Sequence, residues 1–449
     1  MHSFRLPLMP LLCIFSLSIL SGDLLYGQSE HPAVQNWRRN LDGTTGSSPA
    51  ANIDAAVSQI EADVQGTWYD NDNAYVEATG IPSHPIGPFT GDGNPGVPDN
   101  QEHVWRIPLD PQPATNPIET RLGPIGFFAN GVAMFNALDG RSYRNQGIWN
   151  RNAMYWEALG FDTGMGHPAM DFYHYHQRPD LLAGQRGDNE TGRFHSPLIG
   201  FGFDGYPVYG SFGFSNANGT GGLRRMESGY QLRNLTSRQN GPPVNAQYPL
   251  GCFVEDFEYV GTGDLDEHNG RFCKTPEYPQ GTYVYFSTTD ASGETVYPYL
   301  IGPSWYGVPD LDNGGGGPPP PPGGPPPPPG GGIDIPPGAT QYQPFELYCN
   351  NTIVGEDATI AVGSAESFSM VTVAYSLKGG GPINTPYGQV SLSFPVKVFP
   401  SFQVDADGFA SLLVTIPTSA PSDVTVFYQA VSLKNGTSDL SLPGRFVIL

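Results

Sequence analysis

The sequence predicts an all-β protein: a large irregular β domain, then a Pro/Gly-rich linker, then a β-sandwich. Three observations carry this. Gly (58) and Pro (46) make up nearly a quarter of the 449 residues, which disfavours helices because glycine loosens the helical backbone and proline blocks it. Aromatic residues are 12% and charged residues only 14%, the reverse of a disordered composition. Apolar residues recur in short alternating runs between Gly, Pro and Asn turns, the period of half-buried strands.

The chain begins Met1-His2-Ser3-Phe4-Arg5, continues through an apolar run over 6–20 and reaches a small residue at Gly27. A basic start, a short apolar segment and a small residue form the pattern of a secretory signal peptide over residues 1–27. The run is shorter than the roughly 20 apolar residues a membrane span needs, and no later stretch is long and apolar enough for one. The expected protein is secreted, whether extracellular, periplasmic or at the cell surface, with no integral membrane span. Residues 28–57 are polar, with Gly-Thr-Thr-Gly-Ser-Ser-Pro at 43–49, and read as a flexible N-terminal lead-in.

The first domain spans residues 58–308. Ile60, Ala62 and Val64 alternate toward Trp68 as in a strand, while Ile53, Val57, Ile60 and Val64 fit a helix; the periodicity leaves both open. Apolar arms at 125–128 and 132–135 flank Asn130-Gly131, a hairpin signal. Residues 153–159 read as a short strand or one helical turn. Further strands are expected at 198–203, 207–209 and 282–287, with Asp204-Gly205 as a turn.

Residues 309–340 form the linker, centred on GGGGPPPPPGGPPPPPGGG at 314–332. At about 3.1 Å per residue in polyproline II, this tract could hold two domains up to roughly 60 Å apart. Residues 341–449 alternate well, with Val371, Val373 and Tyr375 on one register and strands expected near 389–394, 411–416, 424–429 and 445–448. That spacing fits a β-sandwich.

The formal charge is −22. With four Lys (Lys274, Lys378, Lys397, Lys434) and no basic run, the chain lacks the basic surface that nucleic acids require. Export implies oxidising surroundings, so Cys252 and Cys273, 21 residues apart, are the candidate disulfide. Cys349 is left over, and three unpaired buried thiols are the competing reading.

Chemistry concentrates between residues 164 and 176. In a strand, His174 and His176 share a face while Tyr173 and Tyr175 point the other way. Two imidazoles side by side suit Zn, Cu, Fe or Ni, with His167, His195 or His268 completing the set. Met165 and Met170, as soft thioethers, tilt the choice toward Cu over Zn. A half-buried His/Tyr surface with no ion is the plain structural reading. Asp204 is a candidate to orient a ligand histidine. Asp264, Asp266 and Glu267 are candidates for Ca²⁺, although the EF-hand spacing is absent. No Gly-x-Ser-x-Gly, His-Glu-x-x-His, phosphate loop or Cys-x-x-Cys is present.

Taken together these residues resemble the YHYH domain family, named for the tetrapeptide found here as Tyr173-His174-Tyr175-His176. Further landmarks are Gly80-Ile81-Pro82-Ser83, Leu122-Gly123-Pro124-Ile125-Gly126, Asn130-Gly131-Val132-Ala133, Gly166-His167-Pro168, and residues 196–210, 264–273 and 275–283. The resemblance covers about 58–308. It implies an exported bacterial protein with appended modules, and it brings no catalytic residues. Similar chains carry a cysteine just before Gly-His-Pro; here Thr163-Gly164-Met165 stands there, so no disulfide carries over. Ala374-Tyr375-Ser376-Leu377, Gly379-Gly380-Gly381-Pro382 and Ala406-Asp407-Gly408 resemble a β-sandwich module of exported proteins. That resemblance implies contact with a cell surface or extracellular polymer.

Overall fold

A computed structural model describes residues 31–91, 96–188, 190–314 and 333–449. The apolar leader and most of the Pro/Gly tract, on which the signal-peptide and linker readings rest, lie outside the described residues. Strands dominate, as the composition requires. The longest α-helix among the described residues is Ala51–Val57, and no described helix is long and apolar enough to cross a membrane.

The centre is a mixed eight-stranded sheet. Its order is Gly270–Cys273, Thr282–Phe286, Pro207–Tyr209, Leu198–Gly202, Pro124–Phe128, Ala133–Phe135, Phe172–Tyr175, Gly166–Ala169. Both faces are buried. Phe127, Phe172 and Phe201 point into one core with Trp37, Val76 and Trp105; Phe128, Tyr173, Tyr175, Ile199 and Tyr285 point into the other with Ile301 and Trp305. Double burial explains why Leu198–Gly202 is apolar throughout rather than alternating. The Asn-Gly hairpin forms as expected, with Gly131 at φ +78. A Cβ there would also meet the Ala78 methyl at 2.2 Å, so glycine is required for both turn and packing.

A four-stranded sheet, ordered Thr340–Gln341, Val64–Tyr69, Asn73–Ala78, His103–Pro108, carries Val64, Val76 and Trp105 of the first core. The two periodicities in residues 53–69 resolve in sequence: a helix to Val57 buries Ile53 and Val57, and a strand begins at Val64. Ala153–Trp156 is a single helical turn.

After the tract, Glu346–Cys349, Asp357–Gly363 and Ala410–Thr415 make one sheet. A second, six-stranded sheet is built around Met370–Ser376 and Val424–Lys434. Val362 of the first sheet shares a core with Val371, Val373 and Ala430 of the second, so the Val371/Val373 register is the one that faces inward.

Two expectations are corrected. The lead-in is not loose where it is described: Ala33 and Val34 are fully buried. Trp37 stacks on Phe127 at 4.9 Å and donates its indole N–H to the Ala33 carbonyl (2.7 Å). Its polar average hid a few apolar anchors. The Cys252–Cys273 disulfide is not formed, and all three described cysteines are free buried thiols. Cys252 packs with Trp149 and Phe253, whereas Cys273 belongs to the central core. The two modules also touch, well within the reach of the tract. Arg38 pairs with Asp63 (3.2 Å), which also accepts the Tyr348 hydroxyl (2.9 Å), and Arg39 pairs with Glu346.

Candidate metal centre

The tetrapeptide lies at the far end of the central sheet. Phe172–Tyr175 pairs antiparallel with Gly166–Ala169, and the register sets His174 directly opposite His167. His176 follows two residues on, on the same face. Sequence separation of seven and two residues thus becomes one cluster: His167, His174 and His176 each offer a nitrogen, all within 4.8 Å of one another. All three rings are at most 3% exposed.

The tyrosines hold this strand from behind. The Tyr173 hydroxyl donates to Asp162 (2.9 Å), and the Tyr175 hydroxyl meets His84 Nε2 at 2.7 Å. Asp162 also accepts the backbone N–H groups of Gly87, Gly164 and Gly166 at 2.8–3.1 Å. Gly166 has no room for a side chain, since a Cβ would sit 2.3 Å from the Tyr173 oxygen. The alternation Tyr-His-Tyr-His therefore separates a fastening face from a ligand face.

The histidine face has a defined chemistry. His174 Nδ1 lies 3.0 Å from the Phe172 carbonyl and His176 Nδ1 lies 2.6 Å from the Asn136 carbonyl. A carbonyl only accepts, so each Nδ1 carries the hydrogen. Burial, then the neighbouring histidines, hold His174 well below its ordinary pKa, and burial brings His176 down to about 4. Both rings are neutral, and their bare Nε2 atoms face each other at 3.1 Å. Two lone pairs at that distance repel unless a cation lies between them. Nitrogens bound tetrahedrally to one ion at about 2.0–2.1 Å sit roughly 3.3 Å apart, close to this spacing. His167, likewise depressed by burial and by His176, stands beside them with its ring centroid 4.6 Å from that of His174.

A fourth group was not visible in the sequence. Glu157 Oε2 lies 3.3 Å from His176 Nε2 and 3.7 Å from His167 Nε2. It follows the helical turn Ala153–Trp156, capped by the Asn152 side chain. No spacing rule links it to the histidines; only the fold does. Phe135 stacks on His174 at 4.0 Å and closes one side. On the other side the cluster forms a wall of a pocket of about 640 Å³, where Arg141, Arg144, Arg151 and Asp139 also line the space.

The other candidates lie elsewhere. His195 packs on Tyr209 and Phe214 with Nδ1 on the Ser196 carbonyl. His268 Nδ1 is 2.9 Å from the Ser304 hydroxyl. Neither reaches the triad: His268 leads into Gly270–Cys273 at the opposite edge of the central sheet, and His195 leads into Leu198–Gly202 in its middle. Met165 and Met170 are outside the pocket, Met170 being 65% exposed in the hairpin turn. Asp204 is fully buried but accepts from the Tyr285 hydroxyl (2.6 Å) and the Gly307 N–H (2.9 Å), orienting no histidine. The Ca²⁺ candidates do not assemble. Asp264 pairs with Arg224, Asp266 accepts from Tyr283 and from turn amides, and Glu267 is exposed. Among the described residues, the histidine triad is the one such group of three.

No curated protein and no solved structure matches this chain. Residues 104–296 match the family model described as YHYH protein, a span that contains Glu157, the whole histidine hairpin and its supporting tyrosines. The chain thus carries a segment that matches the YHYH family model, within the 58–308 region where the motifs placed it.

Proposed function

We propose that the YHYH domain of this chain binds a transition metal through His167, His174 and His176, with Glu157 as the fourth donor. The supporting observation is the 3.1 Å approach of two Nε2 atoms whose Nδ1 hydrogens are already committed to carbonyls. Three imidazoles and a carboxylate suit Zn²⁺ or Cu²⁺. With no thioether at the cluster, the argument that favoured copper falls away. Calcium, which takes six to eight oxygens, does not fit this donor set.

The test is the metal content of the purified mature chain by mass spectrometry, beside His174→Ala/His176→Ala and Glu157→Gln. We expect near-stoichiometric metal in the parent chain, background in the double variant and weakened retention in Glu157→Gln. Equal metal in parent and double variant would remove the proposal and leave a packing role for the histidines.

A second reading is metal-assisted hydrolysis outside the cell. It is favoured by the open pocket beside the triad, whose Arg141, Arg144 and Arg151 suit an anionic group on a substrate. A bound ion would supply Lewis acidity and an acidified water. Glu157 would hold the proton, and the arginines would orient the substrate. Hydrolysis of anionic ester probes that vanishes in Glu157→Gln while metal is retained would favour this reading over simple binding.

We read the protein as exported, on the strength of the N-terminal segment, and the C-terminal module as the part that meets a cell surface or extracellular polymer. N-terminal sequencing of chain recovered from the culture medium tests the first. Pull-down on insoluble wall polymers with and without residues 341–449 tests the second.

A further inference from the structure

A second large opening lies between the two modules, away from the triad. It is a crevice of about 720 Å³, walled by Arg38, Arg186 and His195 from the first module and Arg445 from the second, with Arg193 and Lys378 at its rim. Such a concentration of cations is unexpected in a chain of formal charge −22. Of the carboxylates at hand, Asp63 pairs with Arg38 and Glu346 with Arg39, while Glu277, also in the lining, accepts the Tyr209 hydroxyl at 2.7 Å and offsets part of the positive charge of Arg186 and Arg445. Among the described residues, no carboxylate lies within ion-pair distance of Arg186, Arg193, Lys378 or Arg445.

The groups at the bottom of the crevice are held in place and under-used. Arg186 Nε is buried with no hydrogen-bond partner, and its Nη2 donates only weakly to Asn36 (3.3 Å). Burial and the like charges of Arg38 and Arg445 bring its pKa down to about 10. The Arg445 stem lies on Gly187, at φ +81, where a Cβ would meet Arg445 Cγ at 2.4 Å, and its guanidinium donates to the His195 carbonyl (2.9 Å). His195 is 5% exposed. Its Nδ1 donates to the Ser196 carbonyl (2.7 Å), so the neutral ring presents Nε2 as an acceptor, and that atom is buried without a partner. Guanidinium donors beside one orphaned acceptor are the complement of an oxyanion that carries its own O–H.

We propose that this crevice binds a small protonated oxyanion of the hydrogen-phosphate class, with Arg186 and Arg445 donating to its oxygens and His195 Nε2 accepting its O–H. Because the walls come from both modules, occupancy also fastens one to the other. The site is independent of the metal centre, so it is tested on chelator-treated full mature chain, using inorganic phosphate and sulfate as probes in calorimetric titration and thermal melts near neutral pH.

Phosphate binds and raises the melting temperature. Sulfate, with no O–H at that pH, binds about tenfold more weakly, the scale of one unmade buried hydrogen bond. Arg186→Gln weakens phosphate binding by at least about tenfold. The double variant Arg193→Gln/Lys378→Gln alters only exposed side chains, so it folds, and it weakens binding several-fold with a flatter salt dependence. Absence of phosphate binding by the parent chain overturns the proposal. So does unchanged affinity in both Arg186→Gln and the rim double variant. Equal affinity for sulfate overturns the role of His195 and with it the protonated class of ligand.

Discussion

At the scale of single residues, the molecule is marked by imidazoles kept neutral by burial. His103 packs at a tilt on Trp105 with centroids 4.0 Å apart, and burial drives its pKa from the ordinary 6.5 down to about 3. His31 is lowered to about 4 for the same reason. The unfolded chain binds these protons near pH 6.5, whereas the folded chain refuses them until far lower pH. The stability they contribute is therefore full above about pH 6.5 and is lost progressively as pH falls toward 4 and then 3. Asp204 works the other way: burial raises it to about 6, so its unfavourable contribution shrinks as pH falls from about 6 to 3.8. Two displaced histidines outweigh it, and the urea midpoint should decline between about pH 6.5 and 4. His103→Phe should flatten that decline by one proton's worth; an identical slope in parent and variant would show that His103 is not the group refusing a proton.

At the scale of elements, the hairpin of Gly166–Ala169 and Phe172–Tyr175 couples stability to the proposed metal ligands. Gly166→Ala pushes a methyl into the Tyr173 ring and should cost about 1–3 kcal/mol, while loosening metal retention because the strand bearing His167 must shift. Gly140→Ala, where a Cβ meets nothing within 4 Å, is the neutral comparison; chemical denaturation and metal content measured together on both separate the two effects. Much of this hairpin was legible beforehand. Alternate residues share a face by backbone geometry alone, so His174 and His176 side by side followed from their spacing. The reach of His167 to the pair depended on antiparallel register, which spacing does not encode. Glu157 was illegible, since it arrives from a separate helical turn. His195 and His268 were misread because nearness in sequence says nothing about where in a sheet a strand lies: one leads into a central strand and the other into the opposite edge. The lead-in was misread for a related reason: an average over residues 28–57 hides Trp37, and one buried indole is enough to fasten a segment.

At the scale of the whole molecule, the parts before and after the Pro/Gly tract share a polar and aromatic boundary. Arg38, Asp63 and Tyr348 form a shared polar knot, with Arg38 and Asp63 at 7% and 0% exposure, and Phe194 meets Phe427 across the same boundary at 4.9 Å. Removing one member of a buried charged set strands the others. Proteolytic nicking within residues 315–332 should therefore leave both halves co-eluting in size-exclusion chromatography, and Asp63→Asn should let them part. Separation of the nicked parent chain would show that the tract alone holds the modules together.

The pairing of Thr340–Gln341 with Val64–Tyr69 has a consequence beyond docking. It spends the amide and carbonyl groups at the 67–69 end of the outer strand on residues from beyond the tract, while the lead-in bridges the Val64 end. A product truncated before residue 340 would leave the 67–69 end bare, ready to recruit a strand from a neighbouring chain. The tail thus doubles as a guard against self-association, and shortened forms of the YHYH domain should be handled as aggregation-prone material.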